Sequence, residues 1–125
     1  MWTYEQFTGN LFHDGELVGR GYAGMGEGKN SPPHQSQKDV GPIPQGMWLI
    51  DQFFNSAQFG PIVAHLWPRS GTETFGRSGF LIHGDSNAHP GMASHGCIVM
   101  SNVARAAVRD SKDTLLKVVS GTEIK

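Results

Sequence analysis

The chain has 125 residues, a length typical of one domain that can bury a core without disulfides. Ten Lys and Arg against eleven Asp and Glu leave a net charge of -1 with no basic stripe, so a nucleic-acid partner is not expected. No apolar run approaches the roughly 20 residues of a membrane helix, so we also expect no membrane insertion. A single domain over residues 1–125 is predicted.

Seventeen glycines and seven prolines, together with 10% aromatic residues, are typical of a turn-rich and mainly β domain. The one cysteine cannot form an internal disulfide, so its thiol is free. The first residues lack the basic-then-apolar pattern of a signal peptide. The sequence therefore predicts a protein made in the cytoplasm without a signal peptide.

Alternating residues over 2–7 predict a first strand, and the dipeptide Asp14-Gly15 predicts a hairpin between short strands on either side. Residues 19–46 are rich in Gly and Pro and have no period, which is typical of a functional or mobile loop. Pro42 and Pro44 in "GPIPQG" cannot both donate to a central ladder, so this stretch is interpreted as a rigid turn that precedes a strand.

The second half predicts strands at "MWLIDQF", at residues 61–67 and at "FLIHGD", where His83 ends a buried strand. Ser101 and Asn102 are suitable N-caps for a helix over "VARAAVRDSK". "LLKVVSG" predicts a last strand. The fold class expected is mainly β, with one main α-helix after Cys97.

The chemistry is concentrated around Cys97 in "SHGC". A thiol becomes a strong nucleophile as its thiolate, which a nearby imidazolium favours, and this requires a histidine that a third group orients. His83 and His95 are the two candidates. We expect the imidazole to ionise the thiol at neutral pH, and the N–H groups around Gly96 and Cys97 to form an oxyanion hole, which contributes about 3 kcal/mol per donor.

These motifs resemble a known family. "HG" at 83–84 and "SHGCI" at 94–98 resemble the L,D-transpeptidase catalytic domain, and "GPIPQGMW" resembles its Pro-x-Gly element. "WTYEQFTGNLFHDGELVGRGYAG", "GEGKN" and "RSGFLIHGDS" resemble still more closely the short transpeptidase-like toxins of bacterial type VI secretion systems. The resemblance covers nearly the whole chain.

The resemblance implies a β-rich sandwich or barrel in which Cys97 is the acylated nucleophile and His83 the general base. Ser94, His95 and Gly96 would shape the pocket and oxyanion hole, and either Asp85 or the carbonyl of Gly84 would orient His83. Two departures are the ten-residue loop before Ser94, shorter than in the general family, and Val99, where that family often has Arg. Arg77 or Arg69 is the candidate substitute for a contact to the substrate carboxylate.

The resemblance further implies an enzyme acting on peptidoglycan stem peptides by L,D-carboxypeptidase cleavage, D-amino-acid exchange or cross-linking. Neither a cofactor nor a metal is expected. The implied partners are the type VI secretion apparatus and a periplasmic immunity protein, and the implied place of action is the periplasm of a target bacterium.

Two alternatives stay open. A papain-like peptidase would place its cysteine at a helix N-terminus before the histidine in sequence, and the order here is the reverse. A zinc-binding module would use ligands that show no short paired spacing, namely His83, Asp85, His89, His95 and Cys97. Three aromatic residues are interpreted as core or, alternatively, as a groove for a peptide stem: Trp48, Trp67 and Phe75.

Overall fold

The computed structural model describes residues 1–121, in which the chain forms ten β-strands and one α-helix. The strands are β1 (Trp2–Glu5), β2 (Asn10–His13), β3 (Glu16–Arg20), β4 (Tyr22–Ala23), β5 (Gly46–Ile50), β6 (Phe54–Ser56), β7 (Gly60–Pro68), β8 (Leu81–His83), β9 (Ile98–Val99) and β10 (Leu115–Val119). The helix α1 (Asn102–Ser111) lies between β9 and β10. The prediction of a mainly β fold with one helix after Cys97 is confirmed. The single-domain prediction stays a prediction, and its last four residues lie outside the described part.

The strands form one nearly closed, barrel-like sheet in the order β3-β2-β1-β10-β5-β7-β8-β9-β4, and β6 pairs with β7. The two ends of this order, β3 and β4, are joined by Gly21 alone. A Cβ on Gly21 would lie 1.8 Å from the carbonyl oxygen of Val99. A residue without a side chain is therefore needed where the chain passes between the two ends of the sheet.

The core follows from the period-two alternation along the strands. Trp2 and Tyr4 of β1 are buried, whereas Thr3 and Glu5, which alternate with them, are only partly covered. Trp48 of β5 is fully buried against Phe80, with ring centroids 5.2 Å apart. Trp48 is thus a core residue and does not line a groove.

The segment 19–46 is more ordered than its composition predicts. It contains β4 and two short 3₁₀ helices, at Gly26–Gly28 and Pro32–His34. Residues 41–44 of "GPIPQG" are buried, and Trp48 Nε1 donates to the carbonyl of Pro44 at 3.1 Å. The interpretation as a simple turn is incomplete, because Gln6 and Arg77, which are distant in sequence, donate to the carbonyls of Ile43 and Pro42.

The part of the sheet that positions the site is the antiparallel pair β7–β8 and the parallel pair β8–β9. In the parallel pair Ile82 lies opposite Ile98, and His83 lies opposite Val99. Both isoleucines are core residues. Alternation therefore directs His83 away from this core, and Cys97, the residue before Ile98, opens on a surface cavity.

Helix α1 follows directly from this region. Ser101 is its N-cap and accepts a hydrogen bond from the N–H of Ala104 at 3.1 Å. Ala104 and Val108 bury one face of the helix. Within residues 1–121, no helix is both long enough and apolar enough to cross a lipid bilayer.

Removing the cap should weaken the fold modestly. Ser101→Ala is expected to lower the free energy of unfolding by about 1 kcal/mol, because the N–H of Ala104 loses its side-chain partner. Ser101→Asp restores an acceptor and should stay close to the parent. Urea unfolding followed by circular dichroism measures both variants, and equal midpoints for all three proteins would show that the cap contributes nothing.

Candidate active site

Cys97 lies at the end of a loop, directly before β9. Its sulfur accepts a hydrogen bond from the N–H of Leu81 at 3.3 Å and lies 3.8 Å from the carbonyl oxygen of Gly79, which is suited to receive the S–H. The thiol borders a cavity of about 180 Å³. The other residues lining it are Lys38, Asp39, Gly76, Arg77, Ser78, Gly79, Phe80 and His95.

Ser94 fixes the conformation of this loop from within. Its hydroxyl is fully buried, accepts from the N–H of Gly24 at 2.9 Å and of Gly96 at 3.0 Å, and donates to the carbonyl of Cys97 at 2.6 Å. All the hydrogen-bonding capacity of the hydroxyl is thus used by the backbone. Ser94 shapes the site by holding the loop, and it has no group left for a substrate.

Gly96 allows the sharp bend before the cysteine. Its φ is +138°, and a Cβ there would lie 2.5 Å from Nη2 of Arg77, so both conformation and space favour glycine. Its N–H is already bonded to Ser94. The donor that the sequence suggested for an oxyanion hole is therefore occupied at Gly96, and the amide of Cys97 itself, which lies against the sulfur, is the nearer candidate.

His83 is buried, with 1% of its surface exposed, and its ring orientation is defined. Nδ1 lies 2.7 Å from the carbonyl oxygen of Gly84, and the Phe59 ring stacks on the imidazole at 4.2 Å. A carbonyl only accepts, so Nδ1 bears the proton and Nε2 is the basic nitrogen. Within residues 1–121, Nε2 has no hydrogen-bond partner.

Asp85 organises the neighbouring loop instead of orienting the histidine. Its Oδ1 accepts from the hydroxyl of Tyr22 at 2.7 Å and from the N–H of Ser86 at 2.8 Å, and both carboxylate oxygens accept from Gly91 at 3.1 Å. The Tyr22 hydroxyl in turn accepts from the N–H of Ala93 at 2.9 Å. Of the two candidates for orienting His83, the structure gives this contact to the carbonyl of Gly84.

His95 has its side chain exposed at the mouth of the Cys97 cavity. In the described part of the chain, neither His95 nor His83 forms a hydrogen bond to the sulfur of Cys97. A second cavity of about 540 Å³ lies on the His83 side, where Phe59, Gly84 and Arg105 form part of its wall. The thiol thus opens on one cavity, and Gly84, the residue after His83, borders the other.

Burial keeps both groups uncharged at neutral pH. It raises the pKa of the Cys97 thiol, although the amides of Leu81 and Cys97 and the charge of Arg77 act in the opposite direction. Burial also lowers the pKa of His83, against the effect of the Gly84 carbonyl, and nearby Arg105 lowers it further. The structure thus favours a neutral thiol and a neutral imidazole over the resting ion pair expected from the sequence.

Sequence reasoning missed Arg105. Its side chain is 3% exposed and donates to the carbonyls of Pro61, Ile62, Met100 and Ser101 and to the side chain of Asn102. Its position in the predicted helix could have identified it. Arg105 follows Ala104 and lies three residues before Val108, so all three share the buried face of α1. Arg77 is also buried, and its guanidinium binds backbone carbonyls instead of facing open solvent.

The zinc hypothesis finds no geometric support. Within residues 1–121, three metal-ligating side chains converge only at His13, Asp14 and Asp113, which include none of the ligands that the hypothesis names. The papain-like alternative also fits poorly, because β9 separates Cys97 from the N-terminus of α1.

The pKa shift predicts how the thiol reacts. Because the raised pKa leaves little thiolate at neutral pH, alkylation of Cys97 by iodoacetamide should rise about tenfold per pH unit between pH 6 and 8. The rate should level off only above about pH 8.5, the ordinary thiol value. A rate that reaches its plateau below pH 7 would contradict a neutral resting pair and favour the ion pair.

Ser94→Ala tests the loop. It leaves the buried N–H groups of Gly24 and Gly96 without their acceptor, so the free energy of unfolding should fall by about 1–3 kcal/mol. Ser70→Ala, an exposed serine, is the matched control and should change it by less than about 0.5 kcal/mol. Both free energies are measured by urea unfolding. An equal decrease in the two variants would show that Ser94 does not stabilise the loop.

Comparison with protein-family models matches residues 18–122 to the Tlde1 domain, a range that contains His83, Cys97 and both buried arginines. No curated protein matches the sequence in a direct comparison. The family match confirms the resemblance drawn from the motifs. Because the match extends over most of the chain, the chain belongs to the Tlde1 domain family of type VI secretion L,D-transpeptidase effectors.

Proposed function

We propose that this chain is a cysteine-dependent enzyme that modifies peptidoglycan stem peptides, with Cys97 as nucleophile and His83 as general base. The observation that supports this most strongly is the state of His83: a buried imidazole with Nδ1 on a carbonyl and an unpartnered, basic Nε2. Such a nitrogen is prepared to accept a proton. Cys97 is the only thiol in the chain. It borders a cavity and directly precedes β9, the strand that pairs with the strand of His83.

The first step transfers the thiol proton to His83 Nε2 as the sulfur attacks the carbonyl between diaminopimelate and the terminal D-residue. Catalytic hydrogen bonds are often long in unliganded structures and shorten in the substrate complex. The Cys97 amide stabilises the negative oxygen of the tetrahedral intermediate. The C–N bond then breaks, His83 returns its proton to the leaving amine, and the stem remains on Cys97 as a thioester.

The second step decides the product. Water attacking the thioester gives a trimmed stem and regenerates the thiol, which is L,D-carboxypeptidase cleavage. The amine of a free D-amino acid gives exchange, and the amine of a second stem gives a cross-link. In each case His83 accepts the proton of the attacking group, so the chemistry requires no cofactor.

The family acts in target cells through type VI secretion. For this chain we propose action in the target periplasm, where stem peptides are accessible, after delivery by the secretion apparatus. Trimming or exchange there would remove donor stems and weaken the wall. The producing cell would need a periplasmic immunity protein, and occupation of the Cys97 cavity is the simplest way for such a protein to inhibit.

Substitution of the two catalytic residues tests the proposal. Cys97→Ala should lower processing of purified tetrapeptide muropeptides by at least about 10³-fold, because no other group forms the thioester. His83→Ala should lower it by about 10²–10⁴-fold through loss of the base. Mass spectrometry of the muropeptides also separates trimming, exchange and cross-linking.

His65→Gln is the matched control, since His65 is exposed on β7 and has no part in the proposed chemistry. It should retain parental activity. Circular dichroism of all variants establishes that the fold is kept. Parental rates for a folded Cys97→Ala protein would refute the proposed mechanism.

A further inference from the structure

A buried arginine stands beside the nucleophile, and its guanidinium is enclosed by backbone carbonyls. Arg77 is 7% exposed. Nη1 donates to the carbonyls of Gln35 at 2.6 Å and Pro42 at 2.9 Å, and Nη2 donates to those of Gly41 at 2.9 Å and His95 at 3.3 Å. All four Nη hydrogens are therefore used within the protein, so the two-nitrogen Nη end cannot bind a substrate carboxylate, and only the Nε–H is left.

These bonds join two segments that are distant in sequence. Three of the carbonyls belong to residues 35–42, and the fourth belongs to His95 in the loop that ends at Cys97. The guanidinium also lies over the Phe80 ring at 5.1 Å and occupies the space that a side chain at Gly96 would need. The planar guanidinium reaches all four carbonyls because its hydrogens are spread over two Nη nitrogens. A lysine ammonium has three hydrogens on one nitrogen and cannot replace all four bonds.

Arg77 has no carboxylate in direct contact. Within residues 1–121, no carboxylate forms a salt bridge with it, and its hydrogen-bond partners are neutral carbonyl dipoles. Burial lowers the pKa of Arg77, and the exposed Asp39 carboxylate opposes this only from beyond salt-bridge distance. A buried cation without a close ion-pair partner is costly to the fold. A negative charge that forms next to it, on the sulfur or on a substrate oxygen, would supply a close partner during the reaction.

The other groups that face the thiol do not replace this charge. Lys38, Asp39 and His95 border the same cavity, and all three are exposed, so water screens them more than it screens Arg77. Asp39 acts on Arg77 and is negative, so it cannot stabilise a thiolate. His83 does not line this cavity and is neutral at pH 7, because burial lowers its pKa.

We propose that Arg77 is a positioning residue that fixes the Cys97 loop to residues 35–42 and provides the permanent positive charge opposite the reacting sulfur. The catalytic part of this inference rests on the proposed function, whereas the effect on thiol reactivity does not. It assigns Arg77 a role different from the carboxylate contact that the sequence suggested.

The first test uses the single thiol. The pH dependence of Cys97 alkylation by iodoacetamide is measured for the parent, Arg77→Met, Arg77→Lys and the control Arg69→Met, whose arginine is exposed. Arg77→Met should shift the apparent pKa of the thiol upwards by about one unit, while Arg69→Met should shift it by less than about 0.3 units. An unshifted profile in folded Arg77→Met would overturn the electrostatic role.

The second test separates positioning from substrate binding. Because the Nη groups do not contact substrate, Arg77→Met should lower kcat for muropeptides by about tenfold or more and leave KM within about twofold. Arg77→Lys keeps the charge, so its thiol pKa should stay close to the parent while kcat falls. A rise in KM alone would instead assign Arg77 to substrate binding and contradict the inference.

Folding and function failures are distinguishable. If Arg77→Met does not unfold cooperatively, it is not folded and cannot be used. The Arg77→Lys variant is then the test, and a parental kcat in that variant would overturn the positioning role. If the parent protein processes no muropeptide, the proposed function fails, and the alkylation profiles still decide whether Arg77 acts on the sulfur.

Discussion

The parallel pairing of β8 with β9 is the constraint on which the site depends. It sets His83 opposite Val99 and Ile82 opposite Ile98, and it brings the amide of Leu81 to the sulfur of Cys97. A shift of one residue would turn the two isoleucines out of the core and His83 into it. The hydrophobic core, and not a hydrogen bond between the two side chains, thus fixes the relative position of Cys97 and His83.

Two buried arginines support the two halves of this arrangement. Arg77 joins the Cys97 loop to residues 35–42, and Arg105 joins α1 to the backbone at Pro61 and Ile62. Ile62 has a φ of +60°, an unfavourable value for a β-branched residue. The carbonyls that this conformation presents to Arg105 are close to Phe59, whose ring stacks on His83. In this glycine-rich chain with short strands, the two guanidinium groups thus donate to backbone carbonyls that have no partner in the sheet.

Much of the fold was predictable from local pattern. The alternation of Trp2 and Tyr4, the Asp14-Gly15 hairpin, the strand ending at His83 and the capped helix after Ser101 are all present. The burial of Pro42 and the hydrogen-bonding role of Ser94 were not predictable, because their partners are brought close only by tertiary structure. The protonation states also depend on tertiary structure. The closeness of histidine and cysteine in the sequence suggested an ion pair, but burial favours the neutral forms of both His83 and Cys97.

Acylation of one sulfur, that of Cys97, is the central event of the proposed mechanism. Acid-quenched single-turnover reactions with a tetrapeptide muropeptide, analysed by intact-protein and peptide mass spectrometry, test this most directly. We predict a transient mass increase equal to the stem acyl group without its terminal D-residue, located on the peptide that contains Cys97 and removed by hydroxylamine. Full turnover by protein whose Cys97 is already alkylated, or an adduct on another residue, would contradict the account.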